Sequence, residues 1–264
     1  MTLNPTPEKL LQACIDNYVQ MFPVGMYHPL VIHDAPDLAY RIGGFPIAAL
    51  NSVVRSIFDE SDATQRIDEV LSIFEQRNLP LNWVITPESR PVDLTERLME
   101  KGFRKGSNLI AMGRSLEGLP ALDLPQDFRI EEVRTDRLLD QWARVGQVSY
   151  HLPPQAVQVR IRQFTRLLES DLWPVKLYVG FAGDEAVCTS GVRLTPQSAG
   201  IYFVGTLPEH TRKGYGHLIT LKPLIDARQI GHQMAVLMAT PEGLKVYERL
   251  GFEQVGVFQM YIRE

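Results

Sequence analysis

Two short stretches near the end of the chain hold the residues with the most chemical content. The first, "IYFVGTLPEHTRKGYGHLITL" from residue 201, passes from an apolar run through Pro208 into a polar turn with Arg212, Lys213, Gly214 and Gly216, then into an amphipathic run. A turn joining a strand's carboxyl end to a helix's amino end is an anion site by construction. The first four helical N–H groups lack intrahelical partners, and the macrodipole places about half a positive charge there. Gly214 and Gly216 clear side chains from the path of a phosphate, and Arg212 and Lys213 add mobile positive charge. One phosphate or a pyrophosphate fits such a turn; a glycine-rich helix cap is the plainer alternative. The second stretch, "VYERLGF" at 246–252, sets Tyr247 on a short helix ahead of a Gly-Phe step. A phenol with a pKa near 10 can donate a proton where it is held at a leaving group; otherwise such a tyrosine is a core side chain.

Two nucleotide signatures are missing from the turn. A dinucleotide fingerprint needs GxGxxG, but Gly216 is followed by His217, Leu218 and Ile219, and no GxxxxGK[ST] is present. With 27 Lys and Arg against 31 Asp and Glu, a formal charge of −4, there is no global basic surface for nucleic acid, so an anion must be bound locally. Cys14 and Cys188 lie far apart in apolar segments and suggest neither a disulfide framework nor a metal site. The N-terminal "MTLNPTPEKLLQACIDNYVQMF" reads as an amphipathic helix and not a signal peptide, and no apolar run approaches the roughly 20 residues of a membrane span. These features suggest a cytoplasmic protein with no membrane partner, monomeric or homodimeric.

The elements that must position the turn and the tyrosine follow from the hydrophobic pattern. The second half reads as a strand at 128–133, a helix at 135–149, a break at "HLPPQ", a helix at 154–169, hairpin strands at 176–182 and 186–194, and the strand "GIYFVGTL". The turn, a helix to about 230, a strand at 234–240, the VYERLGF helix and a last strand complete the order βααβββαβαβ. Meandering strands that then alternate with helices imply an α/β fold with a mixed sheet covered by helices. Pro223 falls inside the helix that follows the turn, where it removes the bond to the carbonyl of Ile219 and predicts a kink.

The first half repeats part of this plan. "ERLMEKGFRKGSNLIAMGRSL" at 96–116 resembles "VYERLGFEQVGVFQMYIRE" from 246: each runs from a short helix through Gly-Phe into a strand, and each is preceded by a β-like run, "LNWVIT" or "MAVLMAT". The proline-containing "EGLPALDLPQD" at 117–127 is the natural boundary, giving two tandem domains, 1–118 and 119–264.

Taken together, the strand, the turn close to [QR]xxGx[GA], the helix, the strand and VYERLGF resemble the core of the Gcn5-related N-acetyltransferase (GNAT) superfamily. The likeness is close over the last 65 or so residues, looser from 128, and degenerate in the N-terminal half. It implies acetyl-CoA as cosubstrate, its pantetheine arm along Val204, Gly205 and Thr206 and its pyrophosphate on the backbone of Thr211, Arg212, Lys213, Gly214, Tyr215, Gly216 and His217. Thr240 stands where the family often has Asn, Thr211 where it has Gln or Arg, and Tyr247 where it has the tyrosine that protonates the thiolate. The implied activity is direct acetyl transfer to the amine of a small molecule or peptide; the alternative is a non-catalytic CoA-binding module. No general base is visible: "IYFVGT" carries no carboxylate, while Glu209, His210, Tyr150 and His151 lie in nearby turns. In the N-terminal copy Leu98 holds the place of Tyr247, and "DESDATQR" replaces the glycine turn with acidic residues that repel phosphate, so that half is expected to be structural or acceptor-binding.

Overall fold

The computed structural model describes residues 4–21, 30–168 and 174–264. In chain order they form α1 (Pro7–Val19), β1 (Val31–Asp34), β2 (Leu38–Ile42), β3 (Asn51–Ser56), α2 (Ala63–Glu75), β4 (Leu81–Ile85), α3 (Leu94–Glu100) and β5 (Arg104–Ser115). After these come β6 (Phe128–Glu132), α4 (Asp136–Ser149), α5 (Ala156–Phe164), β7 (Val175–Ala182), β8 (Glu185–Leu194), β9 (Ala199–Thr206), α6 (Tyr215–Gln229), β10 (Met234–Ala239), α7 (Leu244–Arg249) and β11 (Glu253–Arg263). The order expected for the second half is present. The helix expected at 154–169 is shorter, ending at Phe164 in a 3-10 turn, Thr165–Leu168; residue 169 lies outside the described residues.

The chain divides into two compact units, but not at the proline-rich segment. One unit comprises Met1–Tyr27 and Met112–Val255, the other His28–Ala111 and Gly256–Glu264, so the divisions near 112 and 256 fall inside the long strands β5 and β11. The reason α1 belongs with the C-terminal part is a buried polar anchor. Asn17, fully buried, donates to the Arg193 carbonyl at 3.3 Å and to Ser198 Oγ at 3.1 Å, and accepts from the Tyr202 hydroxyl at 2.9 Å. A buried amide left without these partners would cost about 1–3 kcal/mol, so they add direction to the apolar packing of α1 on β9 and β10.

In the first unit β6, β7, β8 and β9 form an antiparallel meander, and β10 joins β9 in parallel. Trp142 of α4, Phe164 of α5 and Phe203 of β9 pack as three mutually edge-on rings on one face of the sheet. Side chains alternate along β8, and Ser190 reaches α6 from the other face. Its hydroxyl donates at 2.7 Å to the carbonyl of Ile219, the group that Pro223 leaves without a helical donor. The helical bond lost at Pro223 is thus answered by the strand beneath, and α6 runs through Pro223 from Tyr215 to Gln229.

The second unit has the order β1-β2-β3-β4-β11, with β3 and β4 parallel and the other pairs antiparallel. Its core gathers Ile67, Val70 and Phe74 from α2 with Trp83, Leu94, Leu98, Phe103 and Tyr261. Both Gly-Phe steps make the same helix stop. Gly102 and Gly251 are left-handed, with φ 87° and 78°, and the N–H groups of Phe103 and Phe252 donate to the carbonyls of Leu98 and Tyr247 at 3.1 and 3.0 Å.

Candidate active site

The site lies within the first unit, at the carboxyl end of β9. The parallel pairing of β9 with β10 runs through Ala199↔Ala235, Gly200↔Val236 and Ile201↔Leu237 and goes no further, although β9 continues to Thr206 and β10 to Ala239. The two strands therefore separate beyond Ile201, leaving main-chain groups of residues 202–206 outside the β10 ladder. A cause lies on the other side of β9. Its register against β8 slips between Thr189↔Gly205 and Gly191↔Tyr202, placing one extra residue on β9, and Phe203 adopts a left-handed φ of 58°. That conformation is costly for an aromatic residue. It is held by the rings of Trp142 and Phe164, each 5.3 Å from Phe203, by the Arg160 guanidinium 4.9 Å from the ring centre, and by Thr189 Oγ1, which donates to the Phe203 carbonyl at 3.0 Å.

Two hydroxyl-bearing residues at the end of α4 close on the same segment. The Tyr150 hydroxyl donates to the Val204 carbonyl at 2.8 Å. Gly205 is needed here for space, since a Cβ on it would stand 2.7 Å from Ser149 Cβ. Val204, Gly205 and Thr206 are all half-buried, as residues beside an open slot should be.

After Thr206 the chain makes a 3-10 turn at Pro208–His210 and enters α6 through Arg212 and Gly214, both left-handed with φ 61° and 86°. No side chain caps α6; the His217 N–H donates to the Gly214 carbonyl at 3.0 Å, and the N–H groups of Tyr215 and Gly216 are left to a ligand. Thr211, Arg212, Lys213 and Gly214 are exposed. A Cβ on Gly214 would meet nothing, and one on Gly216 only Thr206 Oγ1 at an ordinary 3.7 Å. The protein's own packing therefore does not need a glycine at 216, and the cleared space suits a group approaching from outside. The turn expected from the sequence thus stands at the carboxyl end of β9, with a left-handed glycine leading an uncapped helix. Tyr215 contributes through its backbone alone, because its ring stacks on Phe128 at 4.4 Å in the core. Burial, aided by Arg249, lowers the pKa of His217, so the imidazole is neutral near pH 7.

Tyr247 stands on α7 at 9 % exposure, its ring edge-on to Phe252. Its hydroxyl has no hydrogen-bond partner among the described residues. Burial first, and the neighbouring Tyr150 second, push its pKa well above that of a free phenol, so it stays protonated. Tyr150 is 41 % exposed as a whole residue, yet its hydroxyl end is enclosed, and burial pushes its phenol up to about 12 against the opposing pull of Arg160. Tyr150, whose hydroxyl is bonded at the open end of β9, is thus a neighbour of Tyr247. Thr240 is exposed, and its hydroxyl already accepts from the Gly243 N–H at 3.4 Å. His210 lies between Glu185, 3.2 Å from its Nε2, and Lys213, 3.4 Å from its Nδ1, and the ligand-type atoms of Glu185, Glu209 and His210 cluster within 4.8 Å. His151 is exposed with φ 51°.

Sequence reasoning placed Tyr150 in the right neighbourhood without its partner, and it missed the bulge and the Arg160–Phe203 contact. The only local hint of the bulge is the glycine that follows at 205, since Phe203 is not a residue type that favours positive φ.

Comparison with known proteins agrees with this geometry. Residues 130–255 match the model of an acetyltransferase (GNAT) domain. No curated protein matches the sequence. Among solved structures, the chain resembles a GCN5-related N-acetyltransferase from Kribbella flavida, with a TM-score of 0.73, 17% identity and 95% of each chain covered. Another, from Sphaerobacter thermophilus, aligns with a TM-score of 0.63 and 15% identity over 99% of this chain and 94% of its own. A tandem GNAT protein from the clavulanic acid biosynthesis pathway aligns with a TM-score of 0.61 and 13% identity over 98% of this chain and 94% of that one. At such identities the structures establish a shared fold, while the family model identifies the domain that contains the slot, the turn and Tyr247. Residues 130–255 are therefore an acetyltransferase (GNAT) domain.

Proposed function

We propose that this protein is an N-acetyltransferase that moves the acetyl group of acetyl-CoA to a primary amine by direct attack. The observation that carries the reading is the convergence, at one end of β9, of main chain freed from the β10 ladder, an uncapped glycine-led helix and a buried protonated tyrosine. Val204, Gly205 and Thr206 offer main-chain hydrogen bonds to an amide-bearing arm, and within the turn of residues 211–217 the backbone from Arg212 to Gly216 offers N–H groups to a pyrophosphate, those of Thr211 and His217 being bonded to Pro208 and Gly214. Acetyl-CoA supplies the activated thioester. The amine must reach it neutral; its nitrogen forms the new C–N bond, the C–S bond breaks, and the sulfur takes the proton that Tyr247 holds. A hydroxyl with a raised pKa serves as such a donor only when placed at the sulfur, so position and not acidity is what α7 provides. The amine's surplus proton leaves through water, since β9 carries no carboxylate to receive it. The second unit is proposed to be a degenerate counterpart with a structural or acceptor-binding role.

The missing carboxylate also favours a second reading, a CoA-binding module without turnover. Acetyl-CoA consumption over a panel of amines, wild type against Tyr247→Phe, separates the two. The enzyme reading expects kcat to fall by about two orders of magnitude with CoA affinity unchanged in calorimetry. Equal rates in both proteins would remove Tyr247 as the acid, and CoA binding without turnover on any amine would favour the module.

A further inference from the structure

The proposed site leaves one of its contacts without a chemical role. Tyr150 ends α4 and spends its hydroxyl on the carbonyl of Val204, a strand residue 54 positions away that has no partner in β10. A carbonyl at the free edge of a strand ordinarily bonds water; here a tyrosine is brought to it. Three further observations show that the contact is built. β9 is bulged immediately before Val204, with the strained Phe203 locked by Trp142, Phe164 and Arg160. Gly205, the next residue, admits the end of α4 so closely that a Cβ would have to displace Ser149 and would stand 3.5 Å from the Tyr150 ring. The Tyr150 phenol is also near enough to Tyr247 to add to the rise that burial causes in its pKa. The hydroxyl therefore sits at the junction of the freed main chain and the tyrosine assigned to the sulfur.

We propose that Tyr150 is a positioning residue of the transfer site, holding the Val204 carbonyl so that the free edge of β9 from Val204 to Thr206 keeps one conformation when it receives the acyl-bearing arm. This rests on the proposed acetyl-transfer reading, because only there does the edge bear the thioester. Peptide planes along a strand are linked: a carbonyl fixed at Val204 also fixes the direction of the neighbouring N–H groups. Without the clamp, the two residues after the bulge sample other orientations, and the arm binds in poses that do not bring the sulfur to Tyr247. The anion turn, which carries the other end of the ligand, is untouched. The clamp thus governs the rate of the chemical step more than affinity for CoA.

Tyr150→Phe keeps the ring and removes the bond. Three readouts test the clamp. Amide hydrogen exchange of the unliganded protein should quicken about fivefold, the worth of one net hydrogen bond, in peptides covering residues 203–207 and stay unchanged in those covering α6. In turnover, kcat should fall by a similar factor, while the Kd for CoA from calorimetry stays within about twofold. Gly205→Ala, which pushes the same helix end away by a different route, should give the same split. Unchanged exchange at 203–207, or a Kd that weakens in step with kcat, would overturn the clamp. Absence of CoA binding by the wild type would instead overturn the acetyl-transfer reading, while the exchange measurement would still report whether Tyr150 restrains β9.

Discussion

The two units end their parallel strand pairs in opposite ways. In the first, β9 and β10 part after Ile201↔Leu237, and the space beyond is lined by half-buried main chain. In the second, β3 and β4 pair at Ser52↔Asn82 and Val53↔Trp83, and the next step along is filled: the Trp83 indole N–H donates to Ser56 Oγ at 3.0 Å, and its ring is fully buried, edge-on to Phe58 and Phe103. The helices that follow differ likewise. α6 starts at a left-handed glycine in open space, whereas α2 starts at Asp62, behind Asp59 and Glu60, in a form that repels an anion. Yet the helix stops further on are alike, with Leu98 and Tyr247 giving their carbonyls to the same Phe N–H bond. One local plan thus supports either a slot or a plug, and what decides is whether a large ring occupies the strand ends.

The plug gives the largest expected effect. Trp83→Ala empties the centre of the second unit and should cost about 3–5 kcal/mol of stability, read from urea unfolding. Affinity for CoA in the protein that remains folded should not change, because Trp83 belongs to the second unit and the slot is built within the first. A loss of CoA affinity equal to that caused by a substitution in the anion turn would show that the second unit takes part in the site.

Next in size is the turn. Gly214→Val forces a β-branched residue into φ 86° at the start of α6 and should weaken CoA binding by about 2 kcal/mol, roughly thirtyfold. Asp62→Ala, at the start of α2, should leave it within about twofold, since that helix offers no anion site to improve or lose. Equal responses at the two helix starts would remove the distinction between them, and a Gly214→Val protein that bound CoA normally would displace the pyrophosphate from this turn.

Much of this contrast is legible in the sequence, and the reasons it stops are physical. Strands, helices and the Gly-Phe stops follow from short-range patterns, and the presence of Gly214 and Gly216 against Asp59, Glu60 and Asp62 distinguishes the two helix starts. The compact units are not legible, because α1 is held by Asn17 on residues more than 170 positions away and β5 and β11 carry the divisions within them. The bulge at Phe203 is not legible either: its strain is offset by rings from α4 and α5, which only the folded chain brings together. Pro223 is the instructive case, since the sequence shows the lost helical bond but not the hydroxyl that replaces it.

That replacement supplies the smallest effect and the finest test of how the two helices differ. α2 contains no proline, and its ladder closes on itself; α6 depends on β8 to complete its own. Ser190→Ala should leave the Ile219 carbonyl buried without a donor and cost about 1–3 kcal/mol. Pro223→Ala restores the N–H that the helix lacks. If the hydroxyl stands in for that N–H, Ser190→Ala must cost much less in the Pro223→Ala background than alone, a coupling of about 1 kcal/mol in a double-mutant cycle read by urea unfolding. Additive costs would mean that Ser190 matters through its packing between Trp142 and α6 and that the carbonyl finds another donor. The coupling, unlike either single change, isolates the hydrogen bond from Ser190 to the Ile219 carbonyl, and so tests whether β8, the strand that also flanks the slot, completes the ladder of α6.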